Sequence, residues 1–299
     1  MHHKHLLETY SYNDKTRLGV NSDGGYVICN LEGDYDCYIC CGVAKESSFD
    51  RDFLNLNKNI DAFAFDGTVE DYPYEYTKNI KFTKKNISNV NDDKNTNLHD
   101  LIDKYDKIFL SIDIEGGEYP WILSLTEQQL QKFKQICIEL HGLNDNSWET
   151  TYDDKMKCLE KLHNTHYVMH VHSNNHAGIY DGIPDVLEVT YVNKNSLTYI
   201  PEKNNEIFPI KGLDFPNYKY RPDYVLVGFP FTEKEYKIIV IGTSETNTKT
   251  IDFDVPSDTK LHFVHNFKDM FSYKIVDKQL TITRIDEDFG WTQNLFALF

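Results

Sequence analysis

Three carboxylates and two glycines crowd one short segment, Ser111-Ile-Asp-Ile-Glu-Gly-Gly-Glu118. Asp113, Glu115 and Glu118 offer oxygens that could accept a proton, face a cation or bond a ligand's hydroxyls. Charge at this density is costly to bury for packing alone, and glycine adds nothing to a core. Further candidates are Asp66, Glu139-Leu-His141, and the pair His170 and His172. Histidine titrates nearest neutral pH, so His141 is the first candidate for moving a proton and His172 the second.

Each of these groups closes an apolar run. The composition and spacing predict strands at Asp36–Cys41, Ile60–Phe65, Ile80–Thr83, Lys107–Asp113, Gln135–Leu140, Tyr167–His172 and Asp185–Val192. Between them lie helix signals. Ser47-Ser-Phe-Asp50 reads as a capping box opening a helix to Leu56, and Thr126-Glu-Gln-Gln129 as another cap. Leu98, Leu101, Ile102 and Tyr105 fall at helical spacing, as do Met156, Leu159, Leu162 and His163. The alternation predicts an α/β fold, an open sheet with crossover helices on both faces. Such sheets bind ligands beyond the carboxyl ends of their strands. Gly42, Asp66, Asp113, Glu115, Glu139 and His141 all follow strand ends and so share one edge.

The pattern changes near residue 200, dividing the chain into a domain over 1–200, a linker punctuated by prolines over 201–224, and a small all-β module over 225–299. Strands are expected there at Tyr224–Gly228, Tyr236–Ile241, Thr250–Val255, Leu261–Val264, Phe271–Val276 and Leu280–Arg284. Its many aromatics read mainly as core, and its exposed strand edges suit a homodimer contact. Gly290-Trp-Thr-Gln-Asn-Leu295 is distinctive but has no assigned chemistry.

A net charge of −16 over 299 residues, with no basic stripe, speaks against nucleic acid as partner. No apolar run reaches the roughly 18 residues that a membrane span needs. The first residues lack the apolar stretch of a signal peptide, which predicts a cytoplasmic protein. Six cysteines are scattered, and Cys37 and Cys40 lie inside a strand, where cysteine serves as a small core residue.

Asp66 ends the second strand, where nucleotide-binding α/β folds place an acid for ribose hydroxyls. The turn Gly42-Val-Ala-Lys-Glu46 carries one glycine only, which argues against NAD and FAD, whose pyrophosphate needs a Gly-x-Gly-x-x-Gly turn. A common ribose-bearing ligand without phosphates is S-adenosylmethionine.

At this point the sequence resembles the FkbM-type S-adenosylmethionine-dependent methyltransferases. The matching stretches are Arg17-Leu-Gly-Val-Asn-Ser-Asp-Gly-Gly-Tyr-Val27, Cys41-Gly-Val, Ala64-Phe-Asp66 and Leu110-Ser-Ile-Asp-Ile-Glu-Gly-Gly-Glu118, within residues 15–192. Ser111 stands where that family often has Lys, and Lys45-Glu46 where it usually has a second glycine. The resemblance implies a Rossmann-like methyltransferase sheet and O-methylation of a hydroxyl on a sugar or sugar nucleotide in glycan biosynthesis. It implies that Gly42 and Asp66 hold the cofactor, with Glu46 near its amino-acid end, Ser88 or Asn89 near the adenine, and Asp113 between cofactor and chemistry. Asp113, Glu139 and His141 could also converge on Mg²⁺ or Mn²⁺, as in macrocin-type sugar methyltransferases, which this region resembles distantly. The opposing reading is a non-catalytic glycan-binding or assembly protein on a degenerate methyltransferase fold.

Overall fold

The computed structural model describes residues 3–73, 79–221 and 223–233, and beyond these only the strand segments between 236 and 298. Seven strands form the central sheet: β1 (Cys37–Cys41), β2 (Asp61–Phe65), β3 (Ile80–Thr83), β4 (Ile108–Ile112), β5 (Phe133–Leu140), β6 (His166–Ser173) and β7 (Leu187–Asn193). Their spatial order is β3-β2-β1-β4-β5-β7-β6. The β1–β2, β2–β3, β1–β4 and β4–β5 pairs are parallel, whereas β7 runs antiparallel to both β5 and β6. This order, with one reversed strand slotted in near the edge, is the Rossmann-like methyltransferase sheet. The sequence predicts the strands within a few residues but not the reversal of β7. No helix crosses from β6 to β7, so the chain returns as a hairpin rather than a right-handed crossover.

Alternation along each strand sorts side chains to two faces. Cys37, Ile39 and Cys41 of β1 join one core with Trp121, Ile122, Leu159 and Leu162. Those four come from α3 (Glu118–Ser124) and α5 (Tyr152–Thr165). Two one-turn helices, α2 (His99–Ile102) and α4 (Glu127–Leu130), contribute Ile102 and Leu130. Tyr38 and Cys40 face the other way, into a core with Phe49 and Phe53 of α1 (Ser48–Leu56). A hairpin of Lys15–Leu18 and Tyr26–Cys29 completes this face. All six cysteines are free and buried, and Cys37 and Cys40 enter opposite cores, so they cannot chelate together.

The Thr126–Gln129 capping box forms as the sequence predicts. The one at Ser47 does not: Ser47 makes no cap bond, and the amide of Ser48 donates to Glu46 Oε1 instead. Asp50 is drawn away because it accepts from the hydroxyls of Tyr38 and Tyr72. The helix expected around Leu98–Tyr105 shrinks to α2, since Leu98 enters it with a left-handed φ of 59°.

The described residues of 201–224, a stretch expected to be a linker, include ones packed on the sheet. Phe208, Leu226 and Phe231 belong to the α3/α5-side core. Tyr224–Gly228 forms no strand, only a bridge between Leu226 and Phe208. Further on, Tyr236–Ile241, Gln293–Leu298 and Leu261–Phe263 form one three-stranded antiparallel sheet, and Thr248–Asp252, Gln279–Arg284 and Phe271–Val276 another. Gly290-Trp-Thr292 lies outside the described residues. No helix among the described residues is long and apolar enough to cross a membrane.

Candidate active site

The site lies where β1 and β4, neighbours in space but far apart in sequence, deliver their carboxyl ends side by side. Gly42 follows β1 with φ +84°, and a Cβ there would lie 1.7 Å from the Asp113 carbonyl oxygen. The glycine is therefore required by the close approach of two backbones.

Asp66 braces the same turn. Its Oδ2 accepts from the amides of Val43 and Ala44 at 2.9 Å each, and its Oδ1 from the amide and hydroxyl of Thr68 at 2.7 and 2.6 Å. Burial pushes this carboxyl up, but the bonds from Thr68, Ala44 and Val43 outweigh it and hold the pKa below the ordinary aspartate value. With four donors already aimed at it, the carboxylate has no spare acceptor position for ribose hydroxyls.

Between this turn and the β4 end is a cavity of about 370 Å³, lined by Gly42, Ala44, Phe65, Asp66, Gly67, Thr68, Asn86, Ile87, Asp113, Ile114 and Glu115. That volume is in the range of small-molecule sites. No Lys or Arg among the described residues lines it. Ser88 and Asn89, expected near an adenine, do not line it either; Asn86 and Ile87 do. Glu46 is exposed and holds the start of α1 through its bond to the Ser48 amide, so the structure gives it a capping role.

On the far side of Asp113, one donor atom each from Asp113, Glu139 and His141 lie within 4.8 Å of one another. His141 Nε2 is 3.8 Å from Asp113 Oδ1, 3.7 Å from Glu139 Oε2 and 3.4 Å from Glu115 Oε2. The ring is set from behind by Glu118, which is fully buried. Glu118 Oε1 accepts from the His141 amide at 3.0 Å and lies 3.2 Å from Nδ1, while Oε2 accepts from the Gly116 amide at 2.9 Å. Asn174, at the end of β6, donates to Glu139 Oε1 at 2.7 Å.

The electrostatics follow from packing acids together. Burial raises the Asp113 carboxyl to about 6, His141 opposes this, and Glu115 and Glu118 add to it. Glu139 is raised well above its ordinary value by burial and then by Asp113 and Glu188. Two adjacent buried carboxyls do not both ionise readily. Burial alone would lower His141, but Glu118, Asp113 and Glu115 outweigh it and raise its pKa. Asp113 Oδ1 is a buried oxygen without a hydrogen-bond partner.

His172 is excluded as a base. Its Nδ1 lies 2.9 Å from Glu188 Oε2 and its Nε2 2.9 Å from Asp223 Oδ2, so both ring nitrogens donate and no lone pair is left. Burial opposes the charge, yet Glu188 and Asp223 raise its pKa well above the ordinary histidine value. His170 is likewise buried, with Nε2 2.7 Å from Asp214 Oδ1. Both acids that bind these rings from outside the sheet come from the segment expected to be a linker, which no residue pattern places at this edge. Glu118 and Asn174 carried a signal, the charge in the acidic motif and the polar run after β6, but not their roles.

No protein-family model matches the chain, and no curated protein sequence matches it. The FkbM-type resemblance therefore rests on the quoted motifs alone. Among solved structures, the chain is similar to precorrin-6y C5,15-methyltransferase from Geobacter metallireducens GS-15, at 13% identity and TM-score 0.31, covering 55% of this chain and 84% of that one. It is also similar to a chain of a fibrillarin/Nop5p complex, at 11% identity and TM-score 0.34, covering 55% of this chain and 74% of that one. The fold assignment rests on the strand order itself.

Proposed function

We propose that the chain is an S-adenosylmethionine-dependent O-methyltransferase acting on a sugar-type hydroxyl. The observation that supports this best is the 370 Å³ cavity at the β1/β4 edge, lined by Asp66, Asp113 and Glu115 and, among the described residues, by no Lys or Arg. A dinucleotide would bring a pyrophosphate into that field, whereas an adenosyl sulfonium brings a positive charge.

The cofactor supplies a methyl group already activated on a sulfonium. The protein's share is alignment and removal of one proton. In the neutral tautomer set by Glu118, Nδ1 carries the hydrogen and Nε2 keeps a lone pair facing Asp113 and Glu139. His141 Nε2 takes the acceptor hydroxyl's proton, and the carboxylates around it stabilise the imidazolium that results. Asp113 lies between cavity and ring and faces both positive charges.

The same residues fit a divalent cation: the buried, unpartnered Asp113 Oδ1 and the close donor set are what such an ion needs. Asp113, Glu139 and His141 would hold it, and Glu118 would orient the histidine as a supporting carboxylate does. A nitrogen donor suits Mn²⁺ better than Mg²⁺, and the ion's chemistry would be to acidify a bound hydroxyl. Nε2 cannot serve as ligand and base together.

One observation favours the non-catalytic reading. The acid placed for ribose, Asp66, is saturated by its own loop. Isothermal titration with S-adenosylmethionine, its demethylated product and NAD tests the proposal. Binding of the first two and not the third supports it; no binding of either overturns it.

A further inference from the structure

The loop between β5 and α5 carries a tryptophan that serves no core. Trp148 is 45% exposed. Its ring lies 5.2 Å from that of His141, at an interplanar angle of 60°. Considerable structure is committed to keeping it there. A Cβ at Gly116 would come 2.4 Å from Trp148 Cβ, and one at Gly142 2.6 Å from Trp148 Cδ1. Trp148 and Glu149 both adopt a φ of 57°, left-handed for residues with side chains.

Trp148 lines a second cavity, of about 580 Å³, that shares Ile114 and Glu115 with the first. Its polar lining is Glu115, Glu149, Asp154, Thr150 and Thr151, with no Lys or Arg among the described residues that line it. An indole face accepts the C–H face of a saturated ring, and carboxylates and threonine hydroxyls bond ring hydroxyls. A phosphate here would meet three carboxylates, of which only Asp154 is paired to a Lys or Arg, Lys157 at 2.7 Å, among the described residues.

We infer that Trp148 is the acceptor platform beside His141, and that the acceptor is a phosphate-free, neutral hydroxylated ring rather than a nucleotide-linked sugar. The inference deepens the methyltransferase reading and rests on it for the word acceptor. The binding test does not depend on that reading.

Isothermal titration of the full chain, without methyl donor, should use methyl α-glucopyranoside, methyl α-mannopyranoside and methyl α-rhamnopyranoside against UDP-glucose, GDP-mannose and dTDP-rhamnose. At least one neutral glycoside should bind saturably, and about tenfold or more tightly than its nucleotide-linked form. Trp148→Ala should weaken that binding about tenfold, with Trp148→Phe recovering most of it and all three proteins melting alike. The donor's dissociation constant should stay within about twofold in both variants, which separates platform from cofactor site. Tighter binding of the nucleotide-linked sugars, unchanged affinity in Trp148→Ala, or no saturable heat with any glycoside would overturn the inference. Absence of donor binding in the wild type, with glycoside binding intact, would instead overturn the methyltransferase reading and leave the platform standing.

Discussion

Glu118, fully buried, holds His141 at two points: its Oε1 accepts from the backbone amide at 3.0 Å and lies 3.2 Å from Nδ1 of the ring. One carboxylate thus fixes where β5 ends and which ring nitrogen faces the acids of β4. Chemistry and fold meet in this contact, because the acid that orients the ring also stabilises the charge the ring acquires.

Replacing His141 with alanine should leave donor affinity within about twofold and cut turnover about a hundredfold or more. Full turnover would remove His141 as the base. Glu118→Gln keeps the shape but removes a charge beside the ring, so the His141 pKa should fall. A base that loses its proton at lower pH works at lower pH. The acid limb of the pH–rate profile should therefore move downward, with kcat reduced and donor affinity kept; an unmoved limb would show that Glu118 is structural only.

Asp66→Ala should destabilise the fold by about 1–3 kcal/mol, because it strands amides of Val43, Ala44 and Thr68. It should also weaken the donor, through loss of the turn rather than of a ribose contact. Asp66→Asn separates the effects. Should Asn restore stability but not affinity, the carboxylate touches the cofactor after all.

The His172 ion pairs make stability depend on pH in a defined direction. Its folded pKa lies well above the ordinary value of 6.5. The stabilisation is therefore complete below about 6.5 and is lost as pH rises through the folded pKa. The raised pKa values of Asp113 and Glu139 act in the same direction. The telling comparison is His172→Gln, which should melt lower than wild type at pH 6, with the gap narrowing toward pH 9. A gap that widens with pH would contradict the assignment.

Metal dependence is decided by chelation. With His141 as base, protein treated with EDTA should keep its turnover within about twofold. Loss of turnover that Mn²⁺ restores in the wild type, but not in Asp113→Asn, would make Nε2 a ligand and pass the proton's removal to another group.

Much of this protein is legible in its residues, because the relevant physics is local. The apolar runs at Cys37–Cys41 and before Asp66, Asp113 and Glu139 mark strands and their ends, and parallel strands bring those ends to one edge. What the acids do there is not local. His141 and His172 look equivalent in sequence, each closing a strand. Glu118, 23 residues from His141, leaves one ring nitrogen of His141 open, while Asp223, 51 residues from His172, closes the last nitrogen of that ring. Asp66 reads as a free carboxylate until the turn after β1 folds its amides onto it. Residues 201–224 read as a linker because prolines hide the few side chains, such as Phe208, that anchor the segment. Sequence alone determined which groups reach the edge, since backbone periodicity sets that. Which group stays available for chemistry was decided only by tertiary structure, since a donor or acceptor is free or spent according to partners that the fold brings from elsewhere in the chain.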